Sequence, residues 1–452
     1  MTTNNSTAAP AGTASAAITE LRREAFDCLT GNILPFWLDT MRDRRRGGWY
    51  GQMTGHGQLM DDAPRSAILY ARLLWTFSAA CRVLHSADSA GSSAIGRQCL
   101  YAAKHACDYI RRHFIDTTYG GTYWSVDANG HPLDTKKQAY AQGFMIYGFA
   151  EHARALAMAP GSRARKEAAC ALATAMSLFS AVESHALDSD NGGYVEALTR
   201  DWQPLADMRL SAHDENCPKS QNTHLHIMEP YTNLLRAMQE TGTADASAMQ
   251  HVRGRLKDVI GIFMHHILNP ATAHLDLFFG MDWSRKSRGV SYGHDIECSW
   301  LLDEAAHTLG DEEVTRSVEP VVRRVAAASR EGIMSDGSMA YEGMPDGGPT
   351  DSDRHWWVQA EAVVGFLNLW QHHGDVEALD TAIRLWSYIK AHLIDHTRGE
   401  WLWSIRADGT PNLDDDHAGF WKCPYHNGRM CMEVIERTPH VTAAAPEGHH
   451  HR

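Results

Sequence analysis

Apolar residues recur at three- and four-residue spacing through most of the chain, as in Ile68, Leu69, Leu73 and Phe77. That is the period of one buried helix face. The pattern predicts twelve helices, near 17–42, 66–85, 92–113, 137–158, 162–185, 223–241, 246–268, 293–309, 313–330, 355–373, 375–394 and 424–437. Short and long connections alternate between them. Strands are expected only as short hairpins in the long connections, where Tyr123-Trp-Ser-Val precedes Asn129-Gly and Trp401-Leu-Trp-Ser-Ile precedes Asp408-Gly.

A second pattern is longer. The tetrads His113-Phe-Ile-Asp116, His185-Ala-Leu-Asp188, His266-Ile-Leu-Asn269 and His392-Leu-Ile-Asp395 end the odd-numbered helices, with an imperfect first copy at Phe36-Trp-Leu-Asp39. Most are followed by a glycine-rich aromatic turn: Gly47-Gly-Trp-Tyr, Gly120-Gly-Thr-Tyr, Gly192-Gly-Tyr and Gly399-Glu-Trp. The missing fifth copy is expected between Glu331 and Tyr341. Six units of about 70 residues indicate a repeat architecture.

The even-numbered helices differ from their partners. Near their N-terminal ends they carry polar cassettes: Lys137–Gln142, Asn222–Glu229, His294–Glu297, Trp356–Glu361 and Trp421–Arg429. Two concentric rings of six helices would bury the even helices all round and bring the cassettes to one rim. The fold class expected is therefore all-α, an (α/α)6 barrel. Residues 17–437 would form this single catalytic domain, with disordered tails at 1–16 and 438–452.

Composition narrows the function. Forty-two basic residues face 55 acidic ones, for a formal charge of −13. No basic stripe stands out, so nucleic acid is not an expected partner. No run of about 18 apolar residues stands out either, so no membrane span is expected. Nine scattered cysteines without a C-x-x-C pair read as reduced thiols of a cytoplasmic protein. No P-loop, nucleophile elbow or dinucleotide fingerprint is present.

The cassettes mix aromatic faces, carboxylates, amides and imidazoles. That is the set needed to stack on a sugar, bind its hydroxyls and move protons near neutrality. His294 and Glu297 share a helix face, as do His226 and Glu229. His224 cannot share that face and reads as structural. Arg72 sits in an otherwise apolar helix, which requires an anion or several acceptors unless it points outward. His426 follows Pro424, a first-turn residue. Trp356, Trp357 and Trp421 read as core or as a sugar-stacking wall. No H-E-x-x-H occurs, and no metal is expected.

The segments A-R-L-L-W-T-F-S-A-A around Arg72, Y-A-Q-G-F-M-I-Y-G after Tyr140, K-S-Q-N-T-H-L-H-I-M-E from Lys219, S-Y-G-H-D-I-E from Ser291, W-W-V-Q-A-E from Trp356 and F-W-K-C-P-Y-H-N-G-R-M from Phe420 carry a resemblance. The chain resembles the N-acylglucosamine 2-epimerase superfamily, and within it the cellobiose 2-epimerases, from about residue 35 to 437. The resemblance implies an (α/α)6 barrel, a sugar substrate and no cofactor. It implies inversion at C2 of the reducing-end glucose of β-1,4-linked disaccharides. His294 and His426 would be the acid/base pair at C2, and His226 a further essential histidine. Arg72 would bind the O1/O2 region and stabilise an enediolate. Tyr140, Asn222, Glu229, Glu297, Trp357 and Trp421 fall at binding positions. Cys298 and Cys423 depart from the family pattern beside catalytic positions and leave the substrate range open. The competing readings are a mannose/glucose aldose–ketose isomerase, a mannobiose 2-epimerase, an (α/α)6 glycoside hydrolase using Glu229 and Glu297, and a non-catalytic sugar-binding toroid.

Overall fold

All twelve helices form. They are α1 (Ala11–Cys28), α2 (Ala67–Ser86), α3 (Ala90–His113), α4 (Ala139–Ala157), α5 (Ser162–His185), α6 (Gln221–Thr241), α7 (Ala246–Ile262), α8 (Tyr292–Leu309), α9 (Glu312–Ser329), α10 (Trp356–His373), α11 (Val376–Tyr388) and α12 (His426–Arg437). The structure is a computed structural model and describes residues 11–86, 90–242 and 245–438. Residues 1–10 and 439–452, most of the two expected tails, lie outside the described residues. The expected tail boundary at residue 17 is corrected: α1 starts at Ala11. Ala-rich sequence that reads as a polar tail is also a strong helix former. Helices α1, α7 and α11 continue into five-residue π-helical turns, which end near the repeated tetrads.

The even helices form a closed inner ring. Each packs on the next, and α12 packs on α2. The odd helices lie outside, α3, α5, α7, α9, α11 and α1 packing on α2, α4, α6, α8, α10 and α12. Burial follows this division. Every residue of α4 from Ala139 to Leu156 is buried, whereas α9 buries only one stripe, led by Val318, Val322 and Val325. Helix α2 is long and apolar enough to cross a membrane by length and composition, contrary to the expectation from sequence. Here it serves as one wall of the inner ring and carries the buried Arg72.

Each of the first five inner helices is preceded by a two-residue strand: Arg65–Ser66, Lys137–Gln138, Lys219–Ser220, Val290–Ser291 and Arg354–His355. Each strand pairs antiparallel with the long connection of the following unit. These starts give the repeat a common register. Its first position is a buried cation in most units. Arg65 reaches Asp43 at 2.6 Å, Lys137 reaches Asp116 at 2.9 Å, Lys219 reaches Asp188 at 2.7 Å and Arg354 reaches Asp336 at 3.0 Å. The fourth unit has Val290 instead, and its turn carries Asn269 where others carry aspartate.

Five residues after the strand start stands a polar side chain that clamps the glycine-rich turn. Tyr70, Gln142, His224, Asp295 and Gln359 accept from the backbone N–H of Trp49, Thr122, Tyr194, Leu275 and Met339. His224 is thus structural, and the Lys137–Gln142 cassette serves the scaffold through Lys137 and Gln142. The tetrad histidines are structural as well: His185 stacks on Trp202 at 4.7 Å and His266 on Trp283 at 4.8 Å. The degenerate fifth turn lies where expected, closed by a bridge between Ile333 and Met339.

Candidate active site

Seven residues after each strand start comes the ring that lines the barrel axis. In the first five units these residues are Arg72, Phe144, His226, Glu297 and Glu361. Counting seven from Lys422, the cation of the sixth unit, gives Arg429. Two helical turns below the rim, the six side chains converge because the units are equivalent.

The convergence is recorded in contacts. Arg72 donates to the Tyr140 hydroxyl at 2.8 Å and to the Trp421 carbonyl at 3.2 Å. Its guanidinium lies over the Phe144 and Tyr425 rings at 4.3 and 4.7 Å. The Tyr140 ring stands edge-on to His226 at 5.0 Å. His226 Nδ1 lies 3.2 Å from Glu229, and Tyr425 donates to Glu229 at 2.6 Å. Arg429 ties the floor together. It donates to Glu229, to Glu297 at 2.5 Å and to Glu361 at 2.7 Å. His426 Nδ1 meets Glu361 Oε1 at 2.7 Å. Trp357 packs against both His294, at 4.8 Å, and His426, at 5.7 Å. Trp421 lies 6.3 Å from Tyr140 and packs beside Trp124 and Phe420.

All ten residues singled out from sequence therefore lie on this one end of the inner ring. Asn222, half-buried one turn before His226, leaves its side-chain oxygen without a partner. Although Glu297 shares a helix face with His294, no hydrogen bond joins its carboxylate to that imidazole. Its Oε1 is taken by Arg429 and its Oε2 has no partner. Glu361, Tyr425 and Arg429 were not selected as site residues from sequence. The register of the repeat is the signal that finds Glu361 and Arg429.

His226 owes its position to Pro230. Proline lacks the N–H that would bond the carbonyl four residues earlier, and its ring crowds that carbonyl. His226 accordingly leaves helical geometry, at φ −88° and ψ 18°. Its carbonyl leans so close to α4 that a Cβ on Gly143 would lie 2.2 Å from the oxygen. Only glycine fits there.

Burial sets the electrostatics. It lowers the pKa of His226 to about 4, despite Glu229, and that of His294 to about 3. Burial, with Arg72 and Arg429, holds His426 well below the ordinary value. All three imidazoles are therefore neutral at pH 7, the form that accepts a proton. Burial also pushes Glu361 up to about 7 against the pull of Arg429, and raises Glu297 well above the carboxylate range with help from Glu361. His426 Nδ1 and Glu361 Oε1, 2.7 Å apart, are placed to pass a proton between them. Burial works to raise Glu229 too, but Arg429, His226 and Tyr425 outweigh it and hold that carboxyl at about 2.

Two arginines contrast. Arg429 is surrounded by carboxylates. Arg72 is 3% exposed, and among the described residues no carboxylate lies within ion-pair distance of it. A buried cation without a counter-anion is costly unless an anion arrives. Glu297, Glu361 and His426 each bring one atom within 4.8 Å of the others, a spacing that suits a cation. The Arg429 guanidinium already bonds both carboxylates there through Oε1.

The rim of this helical double ring offers the imidazole, carboxyl and indole groups that suit a sugar, and the comparisons specify the family. The profile of the N-acylglucosamine 2-epimerase (GlcNAc 2-epimerase) family matches residues 47–428, and the chain belongs to that family. A cellobiose 2-epimerase of Bacteroides fragilis is 49% identical over 416 residues, covering 92% of this chain and 98% of that protein. One from Ruminococcus albus is 38% identical over 421 residues, covering 93% and 98%. The solved structure of cellobiose 2-epimerase from Bacillus thermoamylovorans superposes with a TM-score of 0.81 at 34% identity, covering 93% of this chain and all of that one.

Proposed function

We propose that the protein is a carbohydrate 2-epimerase that inverts C2 of the reducing-end glucose of β-1,4-linked disaccharides, turning cellobiose into 4-O-β-glucosylmannose and lactose into epilactose. The observation that carries this reading is Arg72. It is a buried guanidinium without a carboxylate partner, set among imidazoles that burial keeps neutral.

The chemistry requires what these residues offer. The C2–H beside an open-chain aldehyde is a weak acid. Its removal needs a base in hydrogen-bond reach and positive charge on the oxyanion that develops at O1. Arg72 supplies that charge, and the enediolate supplies the anion that Arg72 lacks. His294 and His426 flank Trp357 and act on the two faces of C2, one taking the proton and the other returning one. The hydrogen bond between His426 and Glu361 lets that pair donate in one direction and accept in the reverse. His226, oriented by Glu229 and Pro230, assists ring opening. Trp357 and Trp421, both half-buried, present indole faces to the sugar rings.

A glycosidase reading needs two carboxyls available to the scissile bond. Glu229 and Glu297 are instead committed to Arg429. Incubation with cellobiose in deuterium oxide tests the proposal. Deuterium at C2 of both epimers is expected. Release of glucose would indicate hydrolysis, ketose as the main early product would indicate an aldose–ketose isomerase, and unlabelled epimer would exclude deprotonation at C2.

A further inference from the structure

Three features of the sixth unit together concern how His426 is held. First, the second residue of the glycine-rich turn has positive φ in its glycine copies, as at Gly48, Gly121 and Gly193. In the sixth unit that residue is Glu400, at φ 68°. Left-handed backbone is unfavourable for a residue with a Cβ and persists where surrounding contacts over-determine it.

Second, the entry to α12 lacks a backbone clamp that four of the other inner helices have. Two residues after the strand start, the N–H groups of Ala67, Ala139, Gln221 and Trp356 bond to the next unit's carbonyls at Trp124, Glu196, Leu277 and Trp403. The equivalent residue in the sixth unit is Pro424, which has no N–H. No strand forms at Lys422, and α12 starts only at His426.

Third, Glu400 is buried and gathers four donors. Trp37 Nε1 reaches it at 2.6 Å, the Trp401 N–H at 3.0 Å, Lys422 Nζ at 3.0 Å and Asn427 Nδ2 at 2.5 Å. Lys422 and Asn427 are the entry cation and the turn clamp of this unit. In other units these two reach different partners on the turn. Here both converge on one carboxylate, one from each side of Cys423–His426. Burial lowers the Lys422 pKa, and Glu400 offsets only part of that.

We propose that Glu400 is a positioning residue for catalysis: through Lys422 and Asn427 it sets the Cys423–His426 segment, replacing the backbone clamp that Pro424 removes, so that His426 meets Glu361 in the cavity. The inference rests on the reading of His426 as a proton-transfer group. Glu400 touches no reacting atom. It acts by fixing an imidazole whose placement within about 1 Å is worth up to about 100-fold in rate.

The test uses the full chain with three variants: Glu400→Gly, the residue of the glycine-bearing turns; Glu400→Gln; and Glu400→Gly with Lys422→Met, which leaves no buried charge uncompensated. Near-UV circular dichroism and thermal melting establish folding, and kcat and KM for cellobiose are measured on folded protein. The expected result is a folded double variant with kcat lowered about 10- to 100-fold and KM changed much less. Glu400→Gln, which keeps acceptors for Asn427 and Trp401, should fall between it and the wild type. In a His426→Ala background, the same substitutions should add little further loss of C2 deuterium exchange. Wild-type kcat in the folded variants overturns the proposal. So does activity lost only in proportion to folded protein, or failure of all three variants to fold, because Glu400 is then a folding determinant alone. Activity surviving in His426→Ala with Glu400 intact would instead reject the acid/base reading of His426.

Discussion

Replacing Arg429 by methionine removes the cation shared by Glu229, Glu297 and Glu361, a buried interaction whose size the structure allows to be worked out. Depression of the Glu229 pKa from 4.5 to about 2, by Arg429 first and by His226 and Tyr425 after it, corresponds to roughly 3 kcal/mol at neutral pH for all its partners together. This agrees with the roughly 3–5 kcal/mol lost when one partner of a buried ion pair is deleted. At about 2 cal/mol/K of unfolding entropy per residue, a chain of 452 residues should melt roughly 3–6 °C lower. The pH dependence gives a second handle. Glu229 titrates lower in the folded protein than in the unfolded one. Its contribution is therefore fully present above about pH 5 and fades as pH falls through 4.5 towards 2. The gap between wild type and Arg429→Met, followed by circular dichroism melts at pH 7, 5 and 4, should be widest at pH 7 and narrow with acidification. Epimerisation should drop at least 10-fold in the same variant, because His426 leans on Glu361 and Glu361 on Arg429. An Arg429→Met protein that melts with the wild type at pH 7, or a gap that widens with acid, would refute this account of the cluster.

Gly143→Ala should lower the melting temperature by several degrees and kcat at least 10-fold, since its Cβ would press on the His226 carbonyl and α6 would have to shift; wild-type kinetics would show that the kink does not orient His226. The pH profile of kcat/KM should bend near pH 7 with the Glu361 carboxyl that bonds His426, and fall again below about pH 5 as His226 is protonated near pH 4, with His294 following lower still; a profile flat across pH 7 would mean that this carboxyl does not govern His426. Exhaustive EDTA treatment followed by dialysis should leave activity unchanged, because Arg429 already bonds the two carboxylates best placed to ligate an ion. Loss of activity restored only by a divalent ion would turn Glu297, Glu361 and His426 into ligands.

Much of this protein is legible in its periodicities. The 3.6-residue apolar period located all twelve helices, because a helix buries a face whatever its neighbours are. The period of about 70 residues ordered them into six hairpins, and the contrast between polar-tipped and ordinary helices divided inner ring from outer. Arg72, His226, His294 and His426 stood out because imidazole and guanidinium groups are costly inside apolar helices and so announce a purpose.

Other features emerged only when the units were brought into one ring. Arg429 reads in sequence as one more polar residue near the end of the chain. Its equivalence to Arg72, His226, Glu297 and Glu361 needs the strand starts, which are two residues long and carry no periodicity of their own. Glu297 three residues after His294 looks like a helix-face pair, yet its carboxylate turns to an arginine 132 residues away, because charge seeks its best buried partner regardless of sequence distance. The protonation states are likewise tertiary. Neutral histidines and a Glu361 pushed up to about 7 result from desolvation inside the closed ring, a property that no single segment contains.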